Sequence, residues 1–162
     1  MKTPAKTNAS RLLDKQKIKY ELLAYEVDES DLSAATLATK LGQNIRQIFK
    51  TLVLRGHNNG IFVCVIPGNE EVDLKLAAKV SGNKKAEMIA MKELLPLTGY
   101  IRGGCTPIGM KKQFPVFIHE SCLQFDTIYI SAGKRGLQLK LSPHDVITAS
   151  QARVARLITS AS

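Results

Sequence analysis

Between Thr98 and Lys112 the chain carries four glycines, Gly99, Gly103, Gly104 and Gly109, together with Pro107 and three cations, Arg102, Lys111 and Lys112. That composition rules out an ordinary helix or a central strand, because glycine raises the entropic cost of regular structure and proline removes an amide donor while fixing φ. The stretch reads as a shaped loop, so regular elements must be complete on either side of it. Its free amides and flanking cations suit an anionic ligand, and a plain connection between elements is the alternative.

Upstream, Gln47-Ile48-Phe49-Lys50-Thr51-Leu52-Val53-Leu54 is an apolar run of the kind buried on both faces of a sheet, interrupted only by Lys50 and Thr51. Alternation puts Lys50 on the face of Ile48, Leu52 and Leu54. An ammonium there is costly unless an anion or acceptors meet it, which singles Lys50 out among the lysines. A strand-end lysine reaching solvent along its stem is the bland alternative.

The rest of the chain alternates helices and strands. Thr3-Pro4 places a capping hydroxyl before a proline and predicts a first helix through Lys17, with Ala9, Leu12 and Leu13 on its apolar stripe. A strand follows over 18–27, closed by the acidic cluster Asp28-Glu29-Ser30-Asp31. Ser33 to Leu41 is helical and is stopped by Gly42. Gly56 to Gly60 turns a hairpin spanning 47–66, which leaves His57 exposed. Asp73 caps a helix over 74–80, Gly82 stops it, and a short strand over 86–90 and a short helix over 91–95 lead to the glycine loop. Beyond the loop, 116–118, 127–130 and 137–141 are strands. Gly133-Lys134-Arg135-Gly136 is a basic turn, and Ser142-Pro143 opens a closing helix that presents Val146, Ile147, Val154 and Ile158 to the sheet. Hairpins mixed with crossovers give a single α+β domain over residues 1–162 with a mixed sheet flanked by helices.

In the 162 residues, 23 basic side chains exceed 14 acidic ones by 9, which favours a polyanionic partner, with tRNA rather than DNA the reading developed below. No apolar run approaches the roughly 18 residues of a membrane span, and 1–17 lacks the uninterrupted apolar core of a secretory signal, so the cytoplasm is the expected address and no membrane is implied. Cys64, Cys105 and Cys122 lack metal-ligand or disulfide spacing, so no metal is expected. Cys64 fits a core strand. Cys105 lies in the basic, amide-rich loop, where a lowered thiol pKa would make it a nucleophile, although no histidine is near it in sequence.

Phe49-Lys50-Thr51-Leu52, the stretch from Gly99 to Lys112 and Gly133-Lys134-Arg135-Gly136-Leu137 occur in an order and at separations that resemble the YbaK/EbsC family, free-standing relatives of the editing domain inserted in prolyl-tRNA synthetases. The resemblance runs from about the first helix to the last. It implies a strongly curled sheet and an enzyme, an aminoacyl-tRNA deacylase that needs no cofactor and clears cysteine from proline tRNA. It also implies a partnership with prolyl-tRNA synthetase. Alanine or another small amino acid as substrate, or a non-catalytic module binding tRNA or a synthetase, are the competing readings. By resemblance Lys50 holds the reacting end, while the amides of Gly103 and Gly104 support the ester carbonyl. The resemblance also implies that Tyr25 lines the substrate pocket, with core packing the alternative, and Thr51, Thr106 and Pro107 are expected beside the substrate; from the excess of positive charge beside the two glycine-rich segments, Arg102, Lys111, Lys112, Lys134 and Arg135 are expected to hold tRNA. Attack falls to water or to the substrate's own thiol. Two departures stand out: Val27 follows Glu26 where many relatives have histidine, and Gln138 stands where some relatives have an acid.

Overall fold

The computed structural model describes residues 5–159. Helix α1 (Asn8–Lys15) begins with a reciprocal cap, in which Thr7 Oγ1 accepts from the Ser10 amide and Ser10 Oγ accepts from the Thr7 amide. The helix therefore starts later than the proline signal predicts, and the Thr3-Pro4 cap lies outside the described residues. Ala9 and Leu13 bury the expected stripe.

Strand β1 (Glu21–Ala24) occupies only the centre of the predicted 18–27 run. Helix α2 (Ala34–Leu41) runs from Ser33, whose hydroxyl accepts from the Thr36 amide, to Gly42 at φ +64°, as read from the sequence. The hairpin pairs β2 (Phe49–Gly56) with β3 (Gly60–Pro67), Phe49 opposite Pro67 and Gly56 opposite Gly60, and His57 is exposed. Gln47 lies not in the strand but in a tight helical turn, Ile45–Gln47, from which its side chain donates to the Thr127 carbonyl.

A buried asparagine braces the hairpin turn. Asn83 Oδ1 accepts from the Asn58 and Asn59 amides at 2.9 and 2.6 Å, and its Nδ2 donates to Ser81 Oγ at 2.7 Å. Asn83→Ala strands two amides without an acceptor and should lower unfolding free energy by about 2 kcal/mol, read as a lower urea midpoint at unchanged m-value. An unchanged midpoint would show that water replaces the side chain at no cost.

Helix α3 (Leu74–Val80) is capped by Asp73, and strand β4 (Ala86–Met88) returns along β2. Helix α4 (Leu94–Thr98) ends at Gly99, where the glycine loop starts. After the loop come β5 (Val116–His119), β6 (Ile128–Ser131), β7 (Leu137–Leu141), α5 (Pro143–Ser150) and β8 (Arg153–Ala155). The predicted closing helix is thus corrected: it stops at Ser150, Gln151 turns left-handed at φ 59°, and Val154 and Ile158 are not on it. Residues 153–155 pair in parallel with β5 instead, satisfying backbone groups that a bare sheet edge would leave open.

The curled sheet is built as two ladders. One has the order β1-β7-β6, all antiparallel, and the other β4-β2-β3-β5-β8, in which β3, β5 and β8 are parallel neighbours. A single parallel bridge, Ile48 to Tyr129, joins them. On one face the main core gathers Phe49, Val53, Val63, Val65 and Ile118 under α1, the glycine loop and α5. On the other, Leu54, Cys64, Ile66 and Phe117 pack with Ala77 of α3, and Ile48 and Tyr129 pack with Ala38 of α2. The alternation read from the sequence is therefore correct: Phe49 and Val53 serve one core, Ile48 and Leu54 the other. Among the described residues no helix is long and apolar enough to cross a membrane.

Candidate active site

The bridge between the two ladders decides what surrounds Lys50. Ile48 opposes Tyr129 in parallel, so two residues further Lys50 on β2 and Ser131 on β6 reach one level and one face. Ser131 opposes Gln138 on β7, and Gln138 opposes Leu23 on β1. Carried on from that bridge, the register brings Lys50 into line with the Ser131–Gln138 pair, a row across three strands that the sequence separates widely. Lys50 is half-buried, and burial holds its pKa below the ordinary lysine value, opposed by the carboxylates of Glu71 and Glu70. It makes no ion pair among the described residues.

At the Gln138 end of this row lies a cavity of about 50 Å3, bounded by Tyr25, Gly103, Gln138, Leu32 and the first turns of α2. It holds a group the size of a small side chain and not a nucleoside. Gln138 is 3% exposed and lines the cavity, while its Oε1 is shut off from solvent with no hydrogen-bond partner among the described residues. Asp28 and Asp31 stand on the same wall. Their carboxyls are held below the usual range, Asp28 by the Ser30 hydroxyl and then the Ser30 amide, Asp31 by the Thr36 hydroxyl and then Ser33. The wall therefore sets two carboxylates against one ammonium, Lys40, whose Nζ donates to the Glu26 carbonyl at 2.6 Å.

The glycine loop is pinned from within. Tyr100, Cys105 and Ile108 are buried in the main core, the Tyr100 hydroxyl donates to the Ile108 carbonyl at 2.6 Å, and the Lys111 amide bonds the Thr98 carbonyl at 3.0 Å to close the loop's base. That leaves Ile101 to Gly103 exposed. Gly103, at φ +82°, has Arg135 Nε and Leu32 Cδ1 each 3.3 Å from where a Cβ would sit, and a Cβ on Gly104 would sit 3.2 Å from the backbone of Lys134 and Arg135, so a side chain at either position would crowd the basic turn. The Gly104 amide is already bonded to the Ile101 carbonyl at 2.9 Å, whereas the Gly103 amide has no acceptor among the described residues. Of the two amides read from the sequence, that of Gly103 is the one left free for an oxyanion.

The predicted residues separate into groups. Tyr25 and Gly103 line the cavity. Lys50 lies in the adjoining row. Thr51 and Thr106 each bury a hydroxyl without a partner, and neither they nor Pro107 and Gly104 line the cavity. Lys111, Lys112, Lys134 and Arg102 are exposed. Arg135 is engaged, its Nε donating to the Arg102 carbonyl at 2.7 Å and its Nη1 lying 3.6 Å from Glu29 Oε1, so it braces the loop against the turn. Ser131 and the wall from Asp28 to Leu37 were not singled out from sequence. The available signal was a concentration of acid just before a helix in a chain of net charge +9.

Cys105 is no nucleophile in this setting. Burial pushes its thiol up to about 12, against a smaller opposing effect of Thr98, the reverse of what the amide-rich loop suggested. Cys105→Ser should keep deacylation within about twofold, and iodoacetamide at neutral pH should leave activity intact because so little thiolate forms. Rapid inactivation tracked to Cys105 would overturn this.

The family model for the aminoacyl-tRNA editing domain matches residues 28–149. A protein of Enterococcus faecalis with the provisional name Cys-tRNA(Pro)/Cys-tRNA(Cys) deacylase EbsC is 48% identical over 158 residues, covering 98% of this chain and 96% of its own. The uncharacterised YwhH of Bacillus subtilis is 29% identical over 132 residues, covering 80% of this chain and 83% of its own. A crystal structure provisionally described as a trans-editing enzyme for prolyl-tRNA synthetase superposes with a TM-score of 0.84 at 22% identity, covering 97% of this chain and all of that one, and it shares the fold.

Proposed function

We propose, since the chain belongs to the aminoacyl-tRNA editing domain family, that it is a free-standing deacylase hydrolysing the ester between a wrong amino acid and tRNA, with cysteine on proline tRNA as the leading substrate and cysteine on its own tRNA as a second. The observation that carries the reading is the unpaired, half-buried Lys50 in a row with Ser131 and Gln138, next to a cavity that takes a small side chain and little else.

The amino acid enters the cavity, and its α-ammonium faces the carboxylates of Asp28 and Asp31. Lys50 holds the phosphate or ribose hydroxyl of the terminal nucleotide, and the Gly103 amide meets charge developing on the ester oxygen. Because all three protein thiols are buried and held protonated, attack comes from water or from the substrate's thiol. The carbonyl carbon takes the new bond, and the ribose oxygen leaves with a proton. Residues 1–162 act as one editing domain in the cytoplasm, where tRNA is charged, and prolyl-tRNA synthetase supplies selectivity for proline tRNA that phosphate contacts cannot.

A deacylation panel over Cys-tRNA(Pro), Cys-tRNA(Cys), Ala-tRNA(Pro) and Pro-tRNA(Pro) tests this. Turnover of the cysteine esters with Pro-tRNA(Pro) spared is the expected result. Preference for the alanine ester would assign the cavity to a smaller side chain, and tight tRNA binding without turnover would make the protein a carrier.

A further inference from the structure

A second cavity, about 350 Å3 in volume, opens where the parallel strands β3, β5 and β8 end, against Pro67, His119 and the chain leaving β8. Carboxyl ends of neighbouring parallel strands are favoured ligand positions, and this volume reaches the range of small-molecule sites, roughly 300 Å3 upward. Register ties it to the active-site row. Lys50 opposes Ile66, and carrying the β3–β5 register one step past Val65 and Ile118 sets Ile66 against His119, which puts Lys50 and His119 on one face two strand spacings apart, roughly 10 Å. Glu70, which lines this cavity, acts electrostatically on both Lys50 and His119.

The cavity holds polar groups in search of partners. His119 is 7% exposed, and its Nδ1 accepts the Leu157 amide at 3.1 Å, so in the neutral ring Nε2 carries the proton, and this donor has no acceptor among the described residues. Ser121 lines the same cavity, although its Oγ is shut off from solvent and has no partner among the described residues. Arg46, from the turn before β2, and Arg156, from the chain after β8, reach it without an ion pair among the described residues, although Glu70 and Glu120 line it too.

That mixture discriminates among ligands. A bare phosphate would suit the two guanidiniums but meet two carboxylates. A nucleotide with an exocyclic amine satisfies both: phosphate on arginine, amine on carboxylate, ring acceptor on the imidazole N–H, base face on Phe125. We propose that this cavity receives a nucleotide of the single-stranded 3′ end of tRNA, with its phosphate on Arg46 and Arg156 and its base between Phe125 and His119. The assignment rests on the deacylase reading for its choice of tRNA. The CCA end offers only amine-bearing bases, cytosine and adenine, next to the ester that Lys50 holds.

The test compares wild type with Arg46→Ala/Arg156→Ala, both exposed positions, for binding of uncharged tRNA with and without its last three nucleotides. Intact tRNA should bind the variant roughly tenfold more weakly, trimmed tRNA equally well, and in deacylation KM should rise with kcat held. Phe125→Leu should reproduce the effect in part. Equal weakening for intact and trimmed tRNA would mean general attraction of a polyanion and overturn the pocket. Binding of CMP or AMP lost in the variant, with both tRNAs unaffected, would reassign the cavity to a free nucleotide and likewise overturn the proposal. Wild type that prefers intact tRNA yet clears no ester would refute the enzyme and uphold the pocket.

Discussion

Lys50→Ala should lower kcat/KM for Cys-tRNA(Pro) by roughly 10²–10³-fold, the loss typical of removing one preorganised electrostatic group, while leaving the protein folded. The fold should tolerate the change because Lys50 is unpaired. Burial holds its folded pKa below that of the unfolded chain, so the charged form is disfavoured by folding. Between the folded pKa and 10.5 the unfolded state binds more protons, and stability rises with pH across that window. Lys50→Met should remove this alkaline rise and equal or exceed wild type in stability at pH 7. Lys50→Arg should fail in catalysis nearly as badly as alanine, since a planar fork does not replace a compact ammonium. Wild-type rates in a folded Lys50→Ala protein would falsify the assignment.

Charge reversal at Lys111, Lys112 and Lys134 should flatten the salt dependence of tRNA binding. All three are exposed, the first two at the base of the glycine loop and the third on the turn that the loop abuts. Arg135 is left out because its guanidinium braces the Arg102 carbonyl, so reversing it would disturb the loop as well as the charge. Each phosphate contact contributes about 0.7–0.9 to the slope of log affinity against log salt, so three lost contacts should lower the slope by about 2 to 3. At low salt the affinity loss should reach about a hundredfold and shrink as salt rises. If slope and affinity stay at wild-type values while Arg46→Ala/Arg156→Ala weakens binding, the acceptor stem leaves over the β3-β5-β8 end instead.

Local chemistry made much of the fold readable. Ser33 and Gly42 bound α2, Asp73 caps α3 and Ser142-Pro143 starts α5, because each meets orphan backbone groups at its own helix end and needs no distant partner. The hairpin of β2 and β3 was legible for the same reason, two β-forming runs around a short turn. The misjudged segments depended on something far away. Residues 153–158 carry apolar spacing that serves helix or strand, and an open edge on β5, more than thirty residues earlier in the chain, selected strand.

The candidate site divides along the same line. By itself the sequence determined that residues 98–112 form a loop, that Lys50 sits in an apolar strand, and, through three motifs in register, which family the chain resembles; these follow from residue type and short spacing. Only the tertiary structure decided that Gln138 lines a cavity and buries an unmet acceptor, that the register brings Ser131 into line with Lys50, and that Asp28 and Asp31 stand on the cavity wall. It alone withdrew Arg135 and the Gly104 amide from the ligand by giving them partners within the protein. The physical reason is that a side chain's identity sets what it can bond, whereas its availability depends on which distant groups the sheet register brings within hydrogen-bond reach, and one parallel bridge between Ile48 and Tyr129 sets that register for the whole site.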